Sequence, residues 1–423
     1  MIRLRHATAE QRKLLLSLGT SLLTRIPGAL GVLWFLPLLH SGLGTDEYAW
    51  LLAAMALGGA ASFLSGGFNF LGRRLIGEAY SRHDQDGEAD GFASLFLAQL
   101  TAFVCTLIII GAYCWIEHAS AAIFMVAALT ALIPIVGQWD DVRAAYNELY
   151  VVAICMVVLQ SASYATAFCV PAMSQNILLA TLVLVGPYLL SSTISMVLLV
   201  HKRPYLLRGA PIAIWLVINR GVILALADGL MTATLSLSVV WLQATTVAST
   251  AAWYATIVRL FQIFLVPIIL LLFPLSSYIR IRWHQKTVAQ QRMFTKLTLW
   301  AGIGYGAVVS VALFGVSNLY IVWLLHLQAP VNVLHAAPVF LLFGAIIAYK
   351  TYSQIAYMVG DEPVHLSSWT TIAISTGVVF GAAASFAVDP MTAIGVYALV
   401  TGVATLLILS WNASRFIRNA QPG

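Results

Sequence analysis

The sequence predicts an all-α polytopic membrane protein, with twelve transmembrane helices in two six-helix bundles around a central cavity. Of the 423 residues, 61% are hydrophobic and only 9% are charged, and the mean hydropathy is +0.90. This composition would leave a water-soluble protein short of polar surface. Twelve apolar stretches approach or exceed the roughly 20 residues that a spanning helix needs. The Lys and Arg residues lie on one side of the resulting topology.

The spans fall into two groups of six, separated by a basic break that begins at His201. The first apolar stretch runs to Leu39 without a small-residue cleavage site, so we expect it to remain as the first helix. The spans of the first group lie near residues 14–39, 47–71, 92–116, 121–138, 149–170 and 176–199. Those of the second group lie near residues 211–240, 250–277, 297–324, 336–359, 364–387 and 391–412.

The basic residues predict the orientation of the chain. Of the 22 Lys and Arg residues, 18 fall in segments on one side, four fall within spans, and none falls in a loop on the other side. Because positive charge next to a span stays in the cytoplasm, we expect a bacterial inner-membrane protein with both termini cytoplasmic. The net charge of +6 matches loops that face an anionic leaflet, and it gives no reason to expect nucleic acid.

The two groups of spans resemble each other weakly, which predicts an internal duplication. Arg25 in the first span corresponds to Arg220 in the seventh, at a similar depth. We therefore expect a six-helix lobe at residues 1–200, a cytoplasmic linker at 201–210, and a second six-helix lobe at 211–423. Membrane proteins built from such repeats place their binding sites near the bilayer midplane, where the halves meet.

Four cations lie inside predicted spans, at Arg25, Arg220, Arg259 and Lys350. A charge at the centre of a bilayer costs about 2.5 to 3.5 kcal/mol on insertion scales, so each cation needs a partner or a function. Arg25 and Arg259 lie at depths that snorkelling reaches poorly, whereas snorkelling is an alternative for Arg220 and Lys350. We predict that the four cations line a site for an anionic group such as a diphosphate.

Asp228 is the only carboxylate within a predicted span. It could be a counter-ion for Arg259, which lies at comparable depth, or a site that couples transport to an H+ or Na+ gradient. One acid neutralises at most one cation, so three cations are left for water or a ligand. No other cofactor is expected, and no residue pattern indicates a catalytic or metal site.

Neutral polar residues inside the spans form a second candidate set. In a hydrated cavity their amides could bind sugar hydroxyls, although such residues more often join helices to each other. The candidates for glycan contact are Asn69, Asn219, Gln262 and Gln354.

Several short motifs, together with the helix layout over nearly the whole chain, resemble a known family. The motifs are Gly44-Thr45-Asp46-Glu47-Tyr48, Gly72-Arg73-Arg74, Ala227-Asp228, Trp253-Tyr254-Ala255 with Arg259, and Phe273-Pro274-Leu275-Ser276. This pattern is similar to that of the bacterial polysaccharide and O-antigen flippases in the multidrug/oligosaccharidyl-lipid/polysaccharide (MOP) exporter superfamily.

The resemblance implies a flippase that moves undecaprenyl-diphosphate-linked oligosaccharides to the periplasmic leaflet by alternating access, for O-antigen or exopolysaccharide synthesis. In the similar lipid II flippases, arginines of the first and eighth helices line a cavity that receives the diphosphate, and Arg25 and Arg259 match them. The implied partners are the lipid-linked oligosaccharide, membrane lipids, and a polysaccharide polymerase with its chain-length regulator. Lipid II flippases have two further C-terminal helices, so twelve spans favour the O-antigen or exopolysaccharide branch.

Two other functions are compatible with this layout. A multidrug or cation antiporter of the same superfamily would share the helix pattern, but a cavity for cationic drugs should be rich in acids. A membrane glycan polymerase or ligase usually resembles a chain with a large periplasmic loop that carries arginines. The outer loops predicted here are short and contain no Lys or Arg.

Overall fold

Almost every residue that the structure, a computed structural model, describes is helical. The described residues are 9–146, 148–283, 287–325, 333–359, 363–386 and 389–419. Within these ranges, the side chains of residues 9–18, 21–27, 227–228, 232, 266–283, 316, 318, 324, 333–336, 354–359, 363–369 and 414–419 are not described.

Residues 9–228 form eight helices and one short 3-10 helix. The bounds are α1 Ala9–Ala61, α2 Phe63–Ser81, α3 Gln85–Ile116, α4 Ala121–Ala145, α5 Leu149–Cys169, α6 Ala172–Gln175, α7 Ile177–Lys202, the 3-10 helix Pro204–Arg208, and α8 Ile214–Asp228. Gly44 divides α1 into two spans, because its φ of +77° lies in the left-handed region that glycine adopts without strain.

The second half forms six further helices and a short π-helical segment. The bounds are α9 Leu230–Thr245, α10 Ala248–Trp283, α11 Val288–Leu319, the π-helical turn Tyr320–Leu324, α12 Val333–Val359, α13 Pro363–Ser385 and α14 Pro390–Asn419.

Each predicted span lies on one helix or on two consecutive helices, and the predicted all-α polytopic membrane fold is confirmed. The second span continues from α1 into α2 past Ser62, and the seventh continues from α8 into α9 past Gly229. Among the described residues, seven helices are long and apolar enough to cross a membrane, and four shorter apolar helices accompany them.

Contacts divide the chain into two compact units, unit 1 at residues 1–225 and unit 2 at residues 226–423. The boundary lies beyond the linker expected at 201–210, because most of α8 packs within unit 1. A Cβ atom on Gly67 of α2 would lie only 2.0 Å from the carbonyl oxygen of Gly221 on α8. This close approach requires glycine on α2. The repeat boundaries at 1–200 and 211–423 stay predictions.

Each unit has its own apolar core. In unit 1, Phe35, Leu36 and Leu39 of α1 are fully buried, as is Tyr48 just after the kink. In unit 2, the rings of Phe261 on α10 and Phe343 on α12 stack with their centroids 4.3 Å apart and an interplanar angle of 6°. Packing of these apolar faces fixes the rotation of α10 and α12, and therefore the direction of the polar residues on them.

Candidate functional site

Two of the predicted site residues, Arg259 and Gln262, come together on α10. The Arg259 side chain is half-buried, and its NH1 group donates a hydrogen bond to the Gln262 Oε1 atom at 3.0 Å. The two residues are three apart, so they lie side by side on the helix surface. The hydrogen bond holds the guanidinium group next to an amide that can itself donate to a ligand oxygen.

Arg259 lies on the opposite face of α10 from Phe261. Two residues along a helix correspond to a rotation of roughly 200°, and Phe261 is the residue that stacks on Phe343 of α12. Lys350 follows Phe343 by seven residues and therefore lies on the same face of α12, where it is buried with an exposed fraction of 6%. The structure thus places Arg259 and Lys350 on different faces within unit 2.

In unit 1, Asn219 and Arg220 are both exposed on α8, next to the buried Gly221 that contacts α2. Asn69 on α2 is buried. Its amide nitrogen donates to the Pro134 carbonyl oxygen at 3.2 Å, and its Oδ1 atom accepts from the Gln99 side chain at 2.6 Å. Asn69 therefore joins α2 to α3 and α4, and a glycan would have to displace one of these hydrogen bonds.

The remaining predicted site residues lie outside the described side chains. They are Arg25 on α1, Asp228 at the end of α8 and Gln354 on α12. Their roles stay predictions.

Sequence reasoning missed an ionic cluster around a buried carboxylate in unit 1. It is formed by Glu148, Arg143, Lys202 and Arg203 and is called here the Glu148 cluster. Glu148 precedes α5, and its side chain is only 2% exposed. Its Oε1 atom lies 2.6 Å from Lys202 Nζ and 3.1 Å from Arg203 NH2, and its Oε2 atom lies 3.4 Å from Arg143 NH1. One carboxylate thus connects the end of α4, the start of α5 and the end of α7.

Electrostatics favours the charged forms of Glu148 and Arg203. Burial alone would raise the pKa of Glu148, but hydrogen bonds from Arg203 and Lys202 outweigh burial and hold its pKa below the usual value. Burial likewise tends to lower the pKa of Arg203, whereas the hydrogen bond and charge of Glu148 raise it above its usual range. These groups therefore stay ionised around neutral pH, as a buried ion network requires.

A second buried carboxylate, Glu88 on α3, adjoins this cluster. Its Oε2 atom accepts hydrogen bonds from the hydroxyl groups of Tyr146 at 2.6 Å and Tyr205 at 2.7 Å. The guanidinium carbon of Arg203 lies 3.7 Å from the centre of the Tyr146 ring, a cation–π contact. Burial and the hydrogen bond to Glu88 raise the pKa of Tyr146, and they raise the pKa of Tyr205 to about 12.

Hydrogen bonds join α3 to the segment expected to be a linker and to the residues just after it. Besides the Tyr205 hydrogen bond to Glu88, the backbone N–H groups of Ala210 and Ala213 donate to Asp90 Oδ1 at 2.8 Å and Ser94 Oγ at 3.1 Å. From the sequence, Lys202 and Arg203 are recognisable only as loop charges that set orientation. The missed signal is the presence of Glu88, Asp90 and Glu148 in loops of the same predicted side.

Two carboxylates, Asp140 and Asp141, lie just beyond the fourth predicted span. The helix that contains the fourth predicted span continues to Ala145, so Asp140 and Asp141 lie on the same helix as that span. Asp141 Oδ1 is 3.8 Å from Arg73 NH1, and Asp140 Oδ2 accepts from Ser192 Oγ at 2.8 Å. Asp141 therefore pairs with Arg73, a cation outside the predicted spans, and the roles of Asp228 stay predictions.

Unit 2 contains an apolar cavity of about 330 Å³ between α9, α13 and α14. Trp241 and Tyr397 line it together with aliphatic residues and three smaller hydroxyl residues, and none of the described lining residues is charged. The Tyr397 hydroxyl donates to Thr234 Oγ1 at 2.7 Å, and Ser238 Oγ lies 2.7 Å from the Tyr254 hydroxyl. Because these hydroxyls bond to one another, the cavity presents mainly apolar surface.

Among the described residues, no group of three or more His, Cys, Asp or Glu side chains could hold a metal ion.

Comparison with known proteins identifies the fold. No protein-family model and no curated protein matches the sequence. Solved structures do match. An inward-facing multidrug resistance MATE family transporter of the MOP superfamily has a TM-score of 0.60 at 12% identity, with 94% of this chain and 99% of the other covered.

Two further MATE structures give the same result. The eukaryotic MATE transporter AtDTX14 has a TM-score of 0.57 at 14% identity, covering 97% of this chain and 98% of its own. The Vibrio cholerae MATE transporter VcmN in its bent form has a TM-score of 0.54 at 12% identity, covering 97% and 99%. The chain is therefore an all-α polytopic membrane protein with the fold of MATE transporters.

Proposed function

We propose that this chain is a bacterial inner-membrane transporter that moves a lipid-linked oligosaccharide diphosphate from the cytoplasmic to the periplasmic leaflet. The observation that carries the proposal is the charge of helices α9 to α12. No Asp or Glu occurs between residues 229 and 360, yet Arg259 stands half-buried within α10. No carboxylate from these helices can neutralise it, so a ligand that supplies negative charge fits this part of unit 2.

The chemistry of Arg259 suits a diphosphate. A guanidinium group carries five N–H donors in a planar fork that matches phosphate oxygens, and Gln262 accepts a hydrogen bond from only one nitrogen. Charge-assisted hydrogen bonds of this kind are about twice as strong as neutral ones. The adjacent Gln262 amide supplies a neutral donor of the type that sugar hydroxyls and phosphate oxygens accept.

The proposed reaction forms and breaks no bond. A diphosphate and its glycan face a large desolvation cost in hydrocarbon, and a polar route lined by fixed donors lowers that barrier while the lipid tail stays in the bilayer. The resemblance of the motifs to polysaccharide flippases supports this substrate class. A polysaccharide polymerase and its chain-length regulator are the partners proposed on the same ground.

Transport of a fluorescent undecaprenyl-diphosphate oligosaccharide by purified protein in proteoliposomes tests the proposal. We expect Arg259→Ala to lower the flipping rate about tenfold or more, and Arg259→Lys to retain part of it, because a lysine keeps the charge but loses the fork. Lys296→Ala is the matched control, since it removes an exposed cation on α11. A wild-type rate in Arg259→Ala would contradict the proposed site.

A multidrug antiporter is the second candidate, and the uncharged cavity beside Trp241 and Tyr397 is the observation that favours it. Its volume of about 330 Å³ lies at the small end of the range for drug-sized ligands. Growth of a drug-sensitive strain expressing the protein, with and without Trp241→Ala, separates the two functions. Drug resistance that depends on Trp241, together with no flipping of the lipid-linked glycan, would replace the flippase proposal.

A further inference from the structure

The interface between α4 and α7 in unit 1 contains a carboxyl group whose hydrogen bonding is incomplete. Asp140 Oδ2 accepts one hydrogen bond, from Ser192 Oγ at 2.8 Å. The Oδ1 atom is buried and has no hydrogen-bond partner among the described residues. Ser195, one turn further along α7, also faces this carboxyl group.

The cations next to Asp140 bond mainly to other groups. Arg143 lies one turn away, but its Nε donates to Ser195 Oγ at 2.7 Å and its NH2 donates to the Ser195 carbonyl oxygen at 2.9 Å. Its remaining nitrogen, NH1, points to Glu148. Arg73 on α2 lies 3.8 Å from the neighbouring carboxylate, Asp141. Asp140 therefore has a hydroxyl donor but no direct ion pair, whereas Asp141 has an arginine.

Ionised groups around this interface are mixed in sign. Asp141 adds a like charge beside Asp140, and Arg143 adds a positive charge at longer range. Helix α7 presents the hydroxyls of Ser192 and Ser195, which do not titrate in the physiological range. From α2, Arg73 contacts the neighbouring Asp141. Glu148 and Tyr150, at the start of α5, act on Arg143, and Glu88 on α3 accepts a hydrogen bond from Tyr146.

A buried carboxylate is stable only with a counter-ion or with several donors. Protonation removes the charge of Asp140 and turns one of its oxygens into a donor, so the neutral acid suits this interface better than the anion. Sodium fits less well, because hard cations take several oxygen ligands. Here the Ser195 carbonyl oxygen is bonded to Arg143, and Asp141 is paired with Arg73.

We propose that Asp140 is a proton-binding site of unit 1, neutral while α4 and α7 pack as they do here and ionised once water reaches the carboxyl group. The proton site is a property of unit 1 alone. Its use to couple transport to a proton gradient rests on the proposed function. Asp228, predicted from the sequence as a counter-ion or an ion-coupling site, belongs to a different part of the chain.

Infrared difference spectroscopy on the full-length protein in lipid nanodiscs tests the site without any transport measurement. A protonated carboxylic acid has a C=O stretching band that an ionised carboxylate lacks. We expect this band near neutral pH in the wild type, its loss in Asp140→Asn, and its retention in the control Asp86→Asn, which removes an exposed carboxylate from the first turn of α3. An Asp140→Asn spectrum identical to that of the wild type would overturn the proposal.

A second variant keeps the test valid if Asp140→Asn does not fold. Ser192→Ala removes a hydrogen bond that favours the charged form, so the band should persist to a pH higher by about one unit. An unchanged titration in Ser192→Ala, or one that depends on sodium concentration instead of pH, would also overturn the proposal. If the band behaves as expected but no lipid-linked glycan is flipped, only the proposed function fails.

Discussion

The amine of Lys202 lies 2.6 Å from the buried carboxylate of Glu148, although the two residues belong to different helix ends separated by more than fifty positions. Lys202 is 57% exposed, while Glu148 is 2% exposed. Arg143 and Arg203 contact the same carboxylate from within the protein. Glu148 therefore compensates two buried cations and one surface cation at once.

Replacing Glu148 with Gln should strongly destabilise unit 1. The change leaves Arg143 and Arg203 buried without their carboxylate, and breaking a buried ion pair in this way costs about 3 to 5 kcal/mol. Thermal unfolding of the purified protein in detergent measures the effect. The matched control is Glu78→Gln, which breaks the exposed Arg74–Glu78 pair on α2 and should cost less than about 1 kcal/mol. Equal losses in the two variants would contradict this account.

The stability of unit 1 should fall in acid because of Glu148. Its pKa is held below the usual value by Arg203 and Lys202 despite burial. A depressed carboxyl pKa contributes stability that is complete above the unfolded-state value, about 4.3, and that is lost as the pH falls through the lower folded-state pKa. Melting temperatures recorded from pH 7 downward should drop more steeply below about pH 4.3 in the wild type than in Glu148→Gln. Parallel curves would show that other groups cause the acid sensitivity.

Removing the Tyr205 hydroxyl should loosen the segment that joins α7 to α8. Tyr205→Phe deletes one of the two hydrogen bonds to Glu88 Oε2 and leaves Tyr146 as the other donor. A hydrogen bond to a charged group contributes about 1.5 to 3 kcal/mol, so cleavage by protease within residues 203–213 should become faster. Tyr80→Phe removes a hydroxyl from an exposed tyrosine and serves as the control. Equal cleavage rates in the wild type and Tyr205→Phe would show that the Tyr205 hydrogen bond does not hold this segment against α3.

Adding a methyl group at Gly67 should disturb the contact between α2 and α8. Its Cβ would lie 2.0 Å from the Gly221 carbonyl oxygen, a backbone atom that can move only if the helix moves. Overpacking of this kind costs about 1 to 3 kcal/mol. Gly66→Ala is the matched control, because open space surrounds that position and alanine favours a helix. Thermal unfolding should separate the two variants, and equal stability would show that α8 adjusts freely.

Most of the helical architecture was predictable from sequence, whereas the direction of the polar residues was not. Apolar runs located every span, but helix lengths extended beyond them where polar residues pack inside, as at Asp140 and Asp141 on α4. The depth of Arg259 in a span marks it as a candidate site residue, and its pairing with Gln262 follows from a spacing of three residues. That Lys350 lies on a different face depends on the stacking of Phe261 on Phe343, which no local pattern encodes.

The sequence by itself determined that this protein is a bundle of membrane helices and roughly where each span lies, because an apolar run of about 20 residues has one stable arrangement in a bilayer. Only the tertiary structure decided which loop charges are buried together. Glu148, Arg143 and Lys202 meet because α4, α5 and α7 approach one another at one end of unit 1. Such pairing depends on distances between helices, and residues far apart in the chain reveal it only after the helices have packed.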